Sequence, residues 1–264
     1  MPRPRLAPIT ALLLAATFAA GCGDRAAEKQ APRTTVSVSA AASLREAFTA
    51  AEKEYEAAHP DIDIRVNFGA SGALQRQIEQ GAPVDVFASA AEKPMDALES
   101  RGLIDPRSRR RLAGNELVLI VPTVANSAGV RGFADLSLPR VRRVALGVPA
   151  SVPAGEYADQ VLRTLGIRDS VQKKAVLGQD VRAVLAYVAS GEADAGVVYR
   201  TDVAAAGNRV RIVASAPAGS HSPITYPIAV TTQAADAAAA RAFAGFLLGP
   251  RGREILRAHG FVAE

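Results

Sequence analysis

Tryptophan is absent, cysteine occurs once, histidine occurs three times, and aromatic residues make up only 5% of the 264-residue chain. A single cysteine excludes an internal disulfide framework, and with three dispersed histidines it gives no spacing suited to a metal cation. The five tyrosines are scattered too, so paired phenols for ferric iron are not found. A sugar receptor needs aromatic stacking platforms, and a nucleic-acid surface needs clustered basic residues with aromatics among them; neither pattern is present. Catalytic signatures are missing as well: there is no Gly-x-Ser-x-Gly elbow, His-Glu-x-x-His helix or Gly-x-x-x-x-Gly-Lys phosphate loop. His59 precedes Pro60 and His259 precedes Gly260 at expected helix ends, where a positive charge is favourable, and His221 falls in a polar loop. The expectation is a protein that performs no chemistry and carries no cofactor.

Beyond the N-terminus no apolar run is long enough to span a bilayer. Arg3 and Arg5 precede an apolar run from Ile9 to Ala20, followed by Gly21 and Cys22, which has the layout of a secretory signal over residues 1–21. Cys22 directly after Ala19-Ala20-Gly21 resembles the cleavage box of bacterial lipoproteins, with Ala19 where leucine is usual. Lipidation of Cys22 is therefore expected, with residues 22–34, polar and containing Pro32, as a flexible tether. The net charge of +5 falls to +3 without the segment bearing Arg3 and Arg5, too mild an excess to imply a polyanionic partner. The dense run Arg107 to Arg111 follows Asp105-Pro106 and is expected in a loop or short helix with a solvated face.

Short β-branched runs alternate with longer helical periods, the pattern of α/β units on largely parallel sheets. Strands are expected at 36–40, 62–67, 84–88, 116–121, 143–147, 174–177, 196–199, 209–214 and 227–231. Helices are expected at 44–58, 72–80, 92–101, 154–165, 181–190, 234–248 and 250–258. In the first helix, Leu44, Phe48, Ala51, Tyr55 and Ala58 recur every three to four residues and define a face for a sheet.

Four stretches put a hydroxyl or a small residue where a strand gives way to a helix: Ala40 to Leu44, Gly69 to Leu74, Val152 to Gly155 and Gly178 to Arg182. A helix N-terminus leaves N–H groups unpaired and carries about half a positive charge, so each is a candidate anion site without Lys or Arg. Taken singly, Ser43 and Ser71 read equally well as helix N-caps, Pro153 as a good first-turn residue, and Tyr199 as half-buried packing.

The order of these stretches, with Gly196-Val197-Val198-Tyr199, Gly81 to Ala90, Gly114 to Val118 and Tyr226 to Val230, resembles the periplasmic molybdate-binding proteins of ABC transporters. The resemblance runs from about Thr35 to the C-terminus. It implies a two-lobed, type II periplasmic-binding-protein fold, each lobe a largely parallel sheet flanked by helices, with the ligand in the cleft between them. Lobe 1 would comprise 35–117 and a return segment 227–264, and lobe 2 would comprise 118–226, with crossings near 118–122 and 225–230. It implies molybdate, and with it tungstate, as ligand, so that molybdenum is held only as the bound oxyanion. The ligand set it implies is Ser43 and Ser71 by hydroxyl, Ala154 and Val181 by backbone N–H, and Tyr199 by phenol. Asp180 would cap its helix without facing the anion, and Arg200 would add a charge at the rim. Members often carry further serines around Ser71, where this chain has Ala70 and Gly72. Sulfate and phosphate could use the same physics and remain alternatives. The implied setting is the periplasm, a monomer tethered to a membrane through Cys22, with an ABC permease as its partner.

Overall fold

The computed structural model describes residues 33–124 and 128–263, so the expected signal segment and Cys22 lie outside the described residues. Within them, two five-stranded sheets form the cores of two lobes.

The first sheet opens with β1 (Thr34–Ala41), whose alternating small polar and valine residues suit a strand covered on both faces as it enters the core. It pairs in parallel with β2 (Ile62–Gly69) and β3 (Val86–Ala88). β4 (Arg110–Gly114) and β10 (Thr225–Val230) complete it in the order β2-β1-β3-β10-β4, with β10 antiparallel to both neighbours. The second sheet has the order β7-β6-β8-β5-β9, built from β5 (Leu117–Pro122), β6 (Val144–Gly147), β7 (Ala175–Gly178), β8 (Ala195–Tyr199) and β9 (Val210–Ser215). Here β6 is parallel to β7 and β8, whereas β5 runs antiparallel to β8 and β9. Both sheets are thus mixed but largely parallel: four strands of each run one way, and the strands nearest the crossings, β5 and β10, run against them. All six residues of β5 are buried, as its unbroken Leu-Val-Leu-Ile-Val run requires of a central strand.

The chain leaves the first sheet after Gly114 and enters the second at Leu117; it leaves the second after Ser215 and re-enters the first at Thr225. Both passages lie a few residues ahead of the expected crossings.

Helix α1 (Arg45–Ala58) follows a 3-10 turn, Ala42–Leu44, and buries Ala47, Phe48, Ala51 and Tyr55. Leu44 is buried with them, but Ala58, expected on the same stripe, is exposed. α2 (Ser71–Glu79) and α3 (Glu92–Ser100) pack on each other, and α4 (Pro153–Thr164), α5 (Arg168–Gln172) and α6 (Val181–Ala189) belong to the second lobe. The return segment supplies α7 (Ala237–Leu248) and α8 (Pro250–Ala258). It is anchored by Tyr55, whose ring lies 5.2 Å from those of Phe243 and Phe246. Such aromatic contacts contribute about 0.5–1.5 kcal/mol each beyond the area they bury.

The arginine run departs from expectation in part. Arg110 and Arg111 begin strand β4, and Arg109 is mostly buried among the carboxylates of Glu92, Asp96 and Glu99 on α3. Three acids at helical spacing on one face gather the Arg109 guanidinium into a packed ionic cluster, while Arg107, Arg110 and Arg111 are exposed, as expected of a solvated face.

Candidate functional site

Each of the four strand-to-helix junctions delivers a helix start to one place between the lobes. The N-termini of the 3-10 turn leading into α1, of α2, of α4 and of α6 all line one small, nearly closed cavity of about 10 Å³. Ser43, Ser71, Ala154, Val181 and Tyr199 are all on its wall, and all five are buried. Ala41, Ala42, Gly69, Ala70 and Ala90 supply the rest of the first lobe's side, where small residues keep the backbone close to the space. Among the described residues, no Lys, Arg or His lines it.

The junctions are tight because glycine permits it. A Cβ on Gly155 would lie 2.1 Å from the Gly147 carbonyl oxygen, so only glycine lets the first turn of α4 sit on the end of β6. Pro153 occupies the first turn of α4, where its missing N–H costs nothing. Among the described residues, the N–H groups of Ser71, Ala154 and Val181 have no acceptor within the protein, as helix-start donors do. Four such termini amount to about two positive charges by the usual half charge per terminus.

The serines are not the caps that their positions suggest. Ala41 and Ala70 occupy the cap positions, and Ser43 and Ser71 lie one or two residues inside the turns. Ser43 Oγ is 2.9 Å from Tyr226 Oη, and Ser71 Oγ accepts the Ala90 N–H at 3.0 Å. Asp180 does cap α6, its Oδ1 accepting from Ala183 N–H at 2.9 Å. That bond turns one oxygen of the carboxylate on the cavity wall toward its own helix.

Tyr199 ends β8 with its ring buried, 5.7 Å from the ring of Tyr226. Its Oη donates across the cleft to the Ala90 carbonyl at 3.4 Å. Burial pushes both phenols well up, with Tyr226 adding to the rise at Tyr199 and Asp202 to that at Tyr226, so each keeps its proton and acts as a neutral donor. Arg200, expected at the rim, instead pairs with Glu116 and reaches Ser215 Oγ at 3.1 Å. It does not border the cavity.

The lobes touch beside this space. Gly72 N–H donates to the Ser151 carbonyl at 3.0 Å, Lys93 Nζ meets Glu156 at 3.0 Å, and Arg182 of α6 forms a two-pronged pair with Glu46 of α1. Behind that pair lies Asp202, fully buried, with Arg182 Nε 3.0 Å from its Oδ1 and the Tyr199 N–H donating to Oδ2 at 3.1 Å. Burial pushes the Asp202 carboxyl up to about 7 even though Arg182 opposes the shift. Ala90, Ser151, Asn115, Tyr226 and Asp202 were given no role by the sequence reading. Three of them, Ala90, Asn115 and Tyr226, lie in the segments that carried the resemblance, and that was the only signal pointing to them.

Comparison with known proteins gives a consistent picture. The family model for bacterial extracellular solute-binding proteins matches residues 36–262. YvgL of Bacillus subtilis (strain 168), which bears the name of an ABC transporter substrate-binding lipoprotein, is 41% identical over 259 residues, covering 98% of this chain and 97% of that protein. The molybdate-binding protein ModA of Haemophilus influenzae is 36% identical over 231 residues, covering 87% and 90%. Among solved structures, the periplasmic molybdate-binding protein of Azotobacter vinelandii superposes with a TM-score of 0.76 at 28% identity, covering 87% of this chain and 99% of that one.

Proposed function

Since the chain belongs to the bacterial extracellular solute-binding proteins, we propose that it captures molybdate between its lobes and hands it to an ABC importer. The observation that carries the reading is one cavity lined by Ser43, Ser71, Ala154, Val181 and Tyr199, with unpaired N–H groups and no basic side chain. A small dianion suits that wall, because its charge is met by about two charges' worth of helix termini and by neutral hydroxyls. Tungstate, with the same shape and charge, binds the same way.

In this reading the two serines and Tyr199 donate through side chains, while Ala154 and Val181 donate through the backbone. The protein holds and releases its ligand without altering it. It acts as a monomer, and its partner is the permease of the importer. The match to a relative named as a lipoprotein supports a membrane tether through Cys22.

Thermal unfolding with a panel of anions tests the proposal. A ligand at 100 times its Kd stabilises the folded state by about 2.7 kcal/mol, so molybdate and tungstate should raise the Tm by several degrees where equal sulfate or phosphate raises it less. A larger shift with sulfate or phosphate would assign the cavity to that anion instead.

A further inference from the structure

Asn115 lies on the first passage between the sheets, and Tyr226 lies near the start of β10, where the chain has returned. Their side chains meet. Asn115 Nδ2 donates to Tyr226 Oη at 3.2 Å and to Thr201 Oγ1, in the second lobe, at 2.8 Å. The orientation of the amide is fixed at its other end, where Oδ1 accepts the Glu116 N–H at 2.8 Å. An amide nitrogen has two hydrogens to give and accepts none, so both of its bonds are donated.

That assignment propagates. Tyr226 Oη receives a hydrogen from Asn115 and has one of its own, and its further partner is Ser43 Oγ at 2.9 Å. Taken alone, the Ser43–Tyr226 contact could run in either direction. Asn115 Nδ2 can accept nothing, so Ser43 Oγ is the hydrogen-bonded partner able to take the Tyr226 proton; with Tyr226 donating, the single proton of Ser43 is left to point into the cavity that it lines. Ser71 is set the same way by a shorter route, since its oxygen already accepts the Ala90 N–H.

Resting on the reading of the cavity as an oxyanion site, we infer that Asn115 and Tyr226 are positioning residues that orient Ser43 as a donor toward the anion. Molybdate, tungstate and sulfate at neutral pH offer only acceptors, and every lone pair can meet a donor. Hydrogen phosphate carries an O–H that needs an acceptor, and the chain from Asn115 through Tyr226 instead turns the Ser43 proton toward it. The relay therefore filters protonated anions, and it ties that filter to a segment joining the lobes.

A double-mutant cycle read by calorimetry tests the relay. Tyr226→Phe keeps the ring and removes the hydroxyl, so it should weaken molybdate binding about tenfold while leaving the Tm of the anion-free protein near that of the unaltered protein. In a Ser43→Ala background the same change should cost nothing further, because Tyr226 acts through Ser43. Asn115→Ala should follow the same pattern and serves if Tyr226→Phe disturbs folding. Losses that add in full in the Ser43→Ala background, or a Tyr226→Phe protein that binds as tightly as the unaltered one, would overturn the relay while leaving the molybdate reading intact. An unaltered protein that fails to bind molybdate would remove that reading, and the relay with it.

Discussion

The backbone N–H of Gly72, in the first turn of α2, donates to the carbonyl of Ser151 on the loop before α4, closing one lobe onto the other at 3.0 Å. A Cβ on Gly72 would lie 2.9 Å from both the Cα and the oxygen of Ser151, and neither backbone atom can swing aside. The absence of a side chain at residue 72 is thus what lets the lobes approach beside Ser71.

Gly72→Ala should hold the lobes apart without harming either one. Alanine is the better helix former, by about 1 kcal/mol, so the anion-free protein should be no less stable. The strain of the closed contact, about 1–3 kcal/mol, should appear as weaker molybdate binding. Calorimetry and thermal unfolding on the same sample check both parts; unchanged affinity would mean that this contact is not part of the bound state.

The ligand positions should respond asymmetrically to substitution. Ser43→Ala and Ser71→Ala each remove a donor to a charged acceptor and should cost about 1.5–3 kcal/mol of binding, with Tyr199→Phe alike. Val181→Ala keeps its N–H and should cost well under about 1 kcal/mol, whereas Val181→Pro deletes the donor and should cost much more. Titration of the five variants decides the matter. Equal damage from Val181→Ala and Ser43→Ala would contradict the division between backbone and side-chain donors.

Much of this site could be read before the fold was seen, because a strand followed by Gly, Ser or Pro and then an amphipathic period marks a helix start locally. Asp180 is such a case, and its cap bond is where the sequence places it. Ser43 and Ser71 show the limit: which residue of a junction takes the cap depends on a backbone turn that one or two residues can shift, and the alanines took it. Strand β4 was masked by charge, since Arg110 and Arg111 look like a solvated run until Leu112 and Ala113 turn inward at the sheet's edge. Short α5 has too few residues to show a period. Partners from distant sequence, such as Tyr226 on Ser43, have no local signature at all.

Asp202 gives a dependence on pH. Its carboxyl is held up at about 7 in the folded protein by burial, against the opposing charge of Arg182, with Glu46 and Asp180 adding to the rise. The unfolded chain binds that proton only below about 3.9. A group whose folded value is raised binds its proton more tightly when folded, so its contribution to stability is largest at low pH. That contribution is lost as pH rises through the window from about 3.9 to about 7 and is flat above it. Asp202→Asn keeps an acceptor for the Tyr199 N–H and cannot ionise, so it should remove this part of the slope. Tm profiles of the two proteins between pH 5 and 8 that run parallel would contradict the assignment.

Cys22 lies outside the described residues, and its role rests on the sequence and on the lipoprotein relative. Cys22→Ser should move the protein from the membrane fraction to the soluble extracytoplasmic fraction, with no change in anion affinity. Mass spectrometry of the mature N-terminus checks the same point; a terminus away from residue 22 would exclude the tether.

The most direct test is a calorimetric titration of the purified protein with molybdate, tungstate, sulfate and phosphate at pH 7. The account predicts one saturable site per chain, tight for molybdate and tungstate, weaker for sulfate, and weakest for phosphate because Ser43 turns a proton rather than a free acceptor toward it. No binding of molybdate, or tighter binding of phosphate than of molybdate, would contradict it.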